Sequence, residues 1–395
     1  MVSENAKIYE KYFNLDEIVE SISAYIQDFD IKKFKKAFEF AEIHHREQFR
    51  KSGEPYIVHP IETIKNLIKL HADEETLIAA LLHDVPEDTE ATIEDVRKEF
   101  GDEVAFLVDG ITKLSKVYYR HDMHERQIES LKKLLIHTAK DPRVVLIKLA
   151  DRLHNMQTLE FVPNPEKRIR IAKETLEIYV PIANLLGIQG LKSELEDLCF
   201  KHLHSDEFDK LREKILDSTE RHKETLKEML KLISEELASH NIKAYVTGRE
   251  KSFYSIYKKI TSSNKTIDSL HDRIAFRIIT EDVTDCYSAL GVIHNIFTPK
   301  PGKFKDYIAV PKINGYQSIH TTVFGLNGIV TEIQIRTEKM HMDSEYGIAA
   351  HYFYDESKGH GSEKLIEDQR SNWVSKILDI QKSQKLGEDF MSDLK

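Results

Sequence analysis

Leu77-Ile-Ala-Ala-Leu-Leu-His83-Asp84 sets an unbroken apolar run directly ahead of two side chains of metal-ligand type. Such a run predicts a core helix, so His83 and Asp84 fall at its buried end. A buried imidazole beside a buried carboxylate is costly unless the two pair or bind a cation. Val144-Val-Leu-Ile-Lys-Leu-Ala150 repeats the pattern and runs into Asp151-Arg-Leu-His-Asn155. Asp151, Asn155 and Thr158 step by four and three, which puts a carboxylate, an amide and a hydroxyl on one helical face. His59-Pro60 opens a further helix, with His59 just outside its first turn.

Outward from these segments, residues 1–200 read almost entirely as helix. Apolar residues recur at three- and four-residue steps in Ile31-Phe34-Phe38-Ala41 and Leu131-Leu134-Leu135. Turn signals break the run at Ser52-Gly-Glu-Pro55, Pro86-Glu-Asp-Thr89, Asp141-Pro142 and Pro163-Asn-Pro165. From Asp206 to about Asn241 the pattern predicts one long amphipathic helix, striped by Leu211, Ile215, Leu226, Leu230, Ile233 and Leu237. Its heptads are not sustained, so it reads as a connecting helix rather than a coiled coil.

After residue 241 the period changes. Lys243–Thr247, Arg273–Ile279, Tyr307–Val310, His320–Phe324 and Ile329–Ile335 read as strands, and Phe253–Ile260, Asp285–Phe297 and Thr337–Tyr352 as helices. The expected fold is α plus α/β: a helical domain over residues 1–200, a connecting segment 201–241, a mixed α/β domain 242–355 and a polar helical tail 356–395.

Composition limits the function classes. The chain of 395 residues is too long for one ordinary core, and a net charge of −10 argues against coating nucleic acid through bulk positive charge. Two cysteines at unrelated spacing supply neither a disulfide framework nor a thiolate metal site. No apolar run approaches the ~18 residues a membrane span needs, and the opening MVSENAKIYEKYF lacks a signal-peptide profile. A soluble, cytoplasmic, multidomain protein is expected, with no membrane partner.

For a lone His or Asp the ordinary reading is a polar side chain satisfied by backbone or water, and one His-Asp dipeptide carries little weight. The ordered set His59, His83, Asp84 and Asp151 on a helical background carries more. Two imidazoles and two carboxylates suit Mn²⁺, Zn²⁺ or Fe²⁺, with positions left for water and a phosphate oxygen. This order resembles the HD phosphohydrolase superfamily. Arg50-Lys-Ser-Gly-Glu-Pro-Tyr-Ile-Val-His-Pro60, Leu81-Leu-His-Asp-Val-Pro-Glu-Asp-Thr89 and Lys148-Leu-Ala-Asp-Arg-Leu-His-Asn-Met156 look like the hydrolase domain of the long RelA/SpoT-type enzymes. The resemblance implies Mn²⁺ held by His59, His83, Asp84 and Asp151, and water activation by Glu87 and Asp88. It also sets Arg50, Lys51, Ser52, Asn155 and Thr158 against the nucleotide. Two departures are Pro86, ahead of the Glu-Asp pair, and Gln157, where the family usually has Arg.

In an acidic chain, short basic loops are informative. Gly248–Lys259 carries four cations against one Glu, and Pro299–Lys312 four lysines against one Asp. Taken alone they read equally as a solvated basic surface or a polyphosphate seat. Asp272 at the start of one strand and Glu332 within another favour the second reading, because paired carboxylates beside basic loops hold Mg²⁺ against phosphates. Gly248–Ile260, Asp272–Ile278, Gly302–Gly325, Glu332–Thr337 and Met340–His351 together look like the synthetase domain of the same family, which has a nucleotidyltransferase-like fold. The resemblance implies Arg249 and Arg277 about the adenine of ATP, and Lys251 and Ser255 on its phosphates. Tyr316 would stack on guanine near Asn314 and His320, while Lys305 and Lys312 hold acceptor phosphates. Asp272 and Glu332 would bind Mg²⁺, and Glu332 would also deprotonate the acceptor hydroxyl. Lys303-Phe-Lys-Asp306 has the basic character of bifunctional members, although Lys303 lacks the planar fork of the usual Arg. Ser344 and Tyr352 replace the commoner Ala and Trp.

The expected function is a bifunctional enzyme of (p)ppGpp metabolism: a 3′-diphosphatase acting on ppGpp and pppGpp, and a pyrophosphokinase transferring from ATP to GDP or GTP. Two other readings are a hydrolase with a weak or silent synthetase, and a non-catalytic guanine-nucleotide sensor. Long family members continue into domains that meet the ribosome and tRNA, and Glu388–Lys395 resembles the lead-in to them. Ribosome and tRNA are thus expected partners only if such domains exist in the full-length protein.

Overall fold

In the computed structural model the described residues are 12–115, 141–248, 251–262, 273–312 and 314–347. They form two compact units, one reaching to Ala183 and the other spanning Asn184–Gly347. The expected helix at Leu131–Leu135 and the tail beyond residue 347, with Trp373, lie outside the described residues.

The first unit is helical. Its elements are α1 (Leu15–Ser23), α2 (Ile31–His45), α3 (Val58–Ile68), α4 (Glu74–Leu82), the single turn α5 (Val85–Asp88), α6 (Ile93–Phe100), α7 (Asp102–Ser115), α8 (Pro142–Gln157), α9 (Pro165–Glu174) and α10 (Val180–Leu185), whose last turn passes into the second unit. Side-chain caps explain several starts: Asp30, Asp73 and Asp141 each accept backbone N–H groups that open α2, α4 and α8. Helix α4 is buried from Thr76 to Leu82, and twelve of the sixteen residues of α8 are buried. These two helices and α3 pack around Ile61, Ile64, Leu77, Ile78, Leu146 and Leu149, all removed from solvent. Helix α3 begins at Val58, so His59 lies inside its first turn rather than ahead of it.

The second unit opens with α11 (Gln189–Leu203), α12 (Ser205–Arg221) and α13 (Lys223–Ser239). The single long helix expected over Asp206–Asn241 is therefore two helices, parted at His222 (φ −103°, ψ 7°). Each half serves a different core. Leu211 and Ile215 pack against Phe200 and Ile260, while Met229, Ile233 and Leu237 pack beneath the sheet. There follow β1 (Ala244–Gly248), α14 (Phe253–Ser262), β2 (Arg273–Thr280), α15 (Val283–Ile296), β3 (Thr298–Pro299), β4 (Lys305–Asp306), β5 (Ile319–Phe324), β6 (Val330–Thr337) and α16 (Glu338–Tyr346).

The sheet runs β1-β2-β6-β5-β3, with β4 on β5; β2 and β6 are parallel and the other pairings antiparallel. Alternation along β6 sends Thr331, Ile333 and Ile335 into the core and leaves Glu332, Gln334 and Arg336 on the opposite face. In register with them, Ala275 and Thr322 flank Glu332, and Arg277 and His320 flank Gln334. One side of the sheet is thus a polar face. The strand expected at Tyr307–Val310 is a turn instead. Asp306 Oδ1 accepts the N–H groups of Ile308 and Ala309 at 2.9 Å each, an Asx-type turn that outcompetes ladder bonds.

Candidate active sites

In the helical unit, α3, α4 and α8 bring His59, His83, Asp84 and Asp151 together. One ligand atom each of His59, His83 and Asp151, all buried, lies within 4.8 Å of the others. His83 Nδ1 donates to the Ala80 carbonyl at 2.7 Å, which fixes the tautomer and turns the lone pair of Nε2 into the cluster. Although Nε2 is 3.1 Å from Asp84 Oδ1, it has no partner in hydrogen-bond geometry among the described residues. His59 Nε2 faces Asp151 Oδ1 at 3.2 Å and Asp84 Oδ2 at 3.5 Å. Burial holds the His59 imidazole toward its neutral form. Burial would raise the Asp151 carboxyl, but the Lys148 ammonium at 2.7 Å overcomes it and helps hold the group well below its usual range. Imidazole nitrogens with free lone pairs, converging on ionised carboxylates, fit a divalent cation.

Around this cluster lies a hydrogen-bonded wall. Asn155 Nδ2 donates to Asp151 Oδ1 at 2.5 Å, and Arg50 Nη2 donates to Asn155 Oδ1 at 3.1 Å and Thr158 Oγ1 at 3.0 Å. Arg50, Asn155 and Thr158 are therefore brought together. Lys51 is exposed, and the buried Ser52 Oγ has no hydrogen-bond partner among the described residues. Glu87 and Asp88 are exposed on α5. Tyr56 Oη lies 2.8 Å from Asp84 Oδ2 and 2.9 Å from Asp88 Oδ2, joining a cluster carboxylate to one of this pair.

On the polar face of the sheet, Lys251 Nζ is 2.9 Å from Glu332 Oε2, and Lys259 approaches the same oxygen at 3.9 Å. Ser255 is exposed one turn into α14. Arg277 and the fully buried Arg336 both reach Glu345 Oε1 at 3.1 Å, and Arg336 also meets His341 Nδ1 at 2.7 Å. Burial, then Arg277, lowers the Arg336 guanidinium to about 10. Burial, then Arg336 and Arg277, lowers His341 to about 4.

An aromatic group lies farther along the same unit. Tyr316 Oη is 2.8 Å from His320 Nε2, and Lys312 Nζ stands 4.8 Å from the ring centre of Tyr307 and 5.1 Å from that of Tyr316. Burial, then Lys192 and Lys305, lowers the Lys312 ammonium. Lys305 pairs with His320 in the ladder, and Lys303 is exposed on the preceding turn. Asn314 ties its loop down: Nδ2 donates to the Asn184 carbonyl at 2.9 Å, and Oδ1 accepts from Tyr316 N at 3.2 Å within the loop. Ser344 is buried. Arg249, Asp272 and Tyr352 lie outside the described residues.

Residues 37–189 match the family described as HD domain, and residues 248–359 match the region found in RelA / SpoT proteins. The chain belongs to the RelA/SpoT family. It is 45% identical over 377 residues to a GTP pyrophosphokinase of Myxococcus xanthus, covering 95% of this chain and 49% of that protein. It is 42% identical over 380 residues to the bifunctional (p)ppGpp synthase/hydrolase SpoT of Escherichia coli, covering 96% of this chain and 54% of that one. A solved structure of a metazoan ortholog of SpoT that hydrolyzes ppGpp is 31% identical, covering 45% of this chain and 98% of its own, with a TM-score of 0.34. The chain spans about half the length of the curated relatives it matches.

Against this RelA/SpoT frame, several site neighbours escape a reading by residue type. Tyr56 lies three residues before His59, in the turn that leads into α3, and that closeness in sequence was available as a signal. His154, three residues after Asp151, carried the same signal. Lys148, three residues before Asp151, carried it too, whereas Arg336 and Glu345 gave none, because their roles depend on a contact between elements. No helix among the described residues is long and apolar enough to cross a membrane.

Proposed function

We propose that this chain of the RelA/SpoT family hydrolyses the 3′-diphosphate of ppGpp and pppGpp and also makes these nucleotides from ATP and GDP or GTP. The observation that carries the reading is His83 Nε2: buried, tautomerically fixed and without a hydrogen bond among the described residues, it faces His59 and Asp151 in a cluster fit for a cation. The 42–45% identity to relatives named for both activities supports the pairing of the two reactions.

In the hydrolase, His59, His83, Asp84 and Asp151 would hold Mn²⁺. A divalent cation there makes a nucleophile of water at neutral pH and polarises a phosphoryl oxygen. Asp88, with Glu87 beside it, takes the proton of the attacking water. The water oxygen bonds to the phosphorus attached to O3′, the O3′–P bond breaks, and pyrophosphate leaves GDP or GTP. Arg50 and Lys51 offset the charge on the phosphates, Asn155 and Thr158 aim Arg50, and Ser52 Oγ supplies a further donor.

In the synthetase, Asp272 and Glu332 would hold Mg²⁺. Glu332 takes the proton of the acceptor 3′-hydroxyl as that oxygen bonds to the β-phosphorus of ATP; the bridge to the α-phosphorus breaks and AMP leaves. Lys251 and Ser255 bind the ATP phosphates and Arg249 and Arg277 the adenine. Tyr316 stacks on guanine beside His320 and Asn314, and Lys303, Lys305 and Lys312 neutralise acceptor phosphates. We assign hydrolysis to residues 1–200, a connecting segment to 201–241, synthesis to 242–355 and a tail to 356–395, in a cytoplasmic protein. Ribosome or tRNA contacts are proposed only for a full-length protein with further domains.

The test is AMP release from ATP with and without GDP in Mg²⁺, beside pyrophosphate release from ppGpp in Mn²⁺. GDP-dependent AMP and Mn²⁺-dependent pyrophosphate are expected. Pyrophosphate without AMP would reduce the reading to a hydrolase; neither product would leave only a nucleotide sensor.

A further inference from the structure

The loop that would take the donor nucleotide is held by a residue outside every motif read above. Asp197, half-buried on α11, has Oδ1 2.9 Å from Ser252 Oγ and 2.8 Å from Tyr254 N, and it also accepts the N–H of Phe253. Ser252 Oγ accepts the N–H of Ser255 in turn at 3.3 Å. The first two amides of α14 are therefore satisfied by a carboxylate from another helix, and the third by a Ser252 hydroxyl that the same carboxylate orients. A negative group at a helix N-terminus is also favoured by the helix dipole.

Two consequences follow from the chemistry. The anion seat at Phe253 and Tyr254 is filled from within the protein, so phosphates must be read by side chains, Lys251 and Ser255, and not by helix amides. The same bonds fix Ser252 and the turn that follows it, and thus anchor the residue next to Lys251, which reaches Glu332 at 2.9 Å. Packing between α11 and α14 has a separate support in Phe200, stacked on Tyr257 with ring centres 4.4 Å apart. Losing Asp197 thus loosens the first turn of α14 without removing what holds the helix in place.

We propose that Asp197 is a positioning residue for the donor-nucleotide loop, setting ATP recognition and leaving acceptor recognition alone. This rests on the assignment of Lys251 and Ser255 to ATP. The test compares wild type, Asp197→Ala and Asp197→Asn for KM of ATP, KM of GDP and kcat of AMP release, alongside amide hydrogen exchange at Phe253 and Tyr254. Asp197→Ala should raise KM for ATP about tenfold, as loss of a cap-type bond implies, with KM for GDP within about twofold. Asp197→Asn retains an acceptor oxygen and should recover most of the loss. Both amides should exchange faster in the Ala variant, a readout that needs no turnover. Equal rises in both KM values, no rescue by Asn, or tighter ATP binding through freed amides would overturn the proposal. Unchanged exchange would overturn it even if the wild type released no AMP, an outcome that would by itself count only against the synthetase assignment.

Discussion

His59 Nδ1 lies 2.7 Å from His154 Nδ1, a contact that requires one ring to donate and the other to accept. Burial, then His59 and Arg50, lowers His154 to about 3, so its ring is neutral at ordinary pH and can accept. With His154 as the acceptor, His59 carries its proton on Nδ1 and presents a lone pair at Nε2, toward Asp84 and Asp151. In that arrangement His154 would select the tautomer suited to a metal ligand. His154→Phe should weaken Mn²⁺ binding about 10–100-fold, measured by metal titration against a competing chelator without substrate. Unchanged affinity would mean the tautomer is set by other groups.

The two reactions should separate by single substitutions. Glu332→Gln keeps the size of the side chain but removes the proposed base and the charge that Lys251 meets. AMP release should fall about 10²–10⁴-fold, while pyrophosphate release from ppGpp stays within about twofold. Asp88→Asn should do the reverse. Assays of both products on both variants check this, and a variant that loses both activities would count against independent chemistry at the two sites.

Stability should fall on mild acidification. Burial lowers His45 and His59, while His154 and His341 are lowered to about 3 and about 4. Unfolded histidine takes its proton near pH 6.5, so between about pH 6.5 and 4 the unfolded chain binds protons that the folded chain refuses. The contribution is absent above that window and grows more destabilising as pH drops through it. In metal-free protein the urea midpoint should be lower at pH 5.5 than at 7.5, and His341→Gln should flatten the slope. A midpoint that rises on acidification would contradict the buried-neutral assignment.

Much of the helical site was legible because its ligands sit at the ends of apolar runs. Leu77–Leu82 and Val144–Ala150 announce core helices, and His83 and Asp151 must then be buried and need partners. The sheet was legible from period, except where a local hydrogen bond decided the backbone. Tyr307–Val310 has strand composition, yet Asp306 captures two of its amides and makes a turn. The break at His222 has no Gly or Pro to mark it and arises because two cores pull the chain in different directions. Asp197 and Glu345 were illegible for a related reason: each acts on a residue of another element, which spacing along one chain does not encode.

Gly347 ends α16 against the 186–188 segment and should tolerate no side chain. Its backbone is left-handed, φ 56° and ψ −134°, and a Cβ there would press on the Leu186 carbonyl oxygen, the Gly187 carbonyl carbon at 2.8 Å and Ile188 N at 2.9 Å. All three are main-chain atoms, so no rotamer change relieves the clash. Gly187 faces it with φ 78°, and the Asn184 carbonyl three residues earlier receives Asn314 Nδ2 from the loop carrying Tyr316. Pushing 186–188 away therefore disturbs the loop assigned to guanine. Gly347→Ala should cost on the order of 2–4 kcal/mol from backbone strain and overpacking. Below the unfolding temperature, KM for GDP should rise more than KM for ATP, the opposite split to Asp197→Ala. Chemical denaturation and paired KM measurements check both parts; a stable variant with an unchanged GDP KM would show that the 186–188 segment moves aside freely and does not hold the loop.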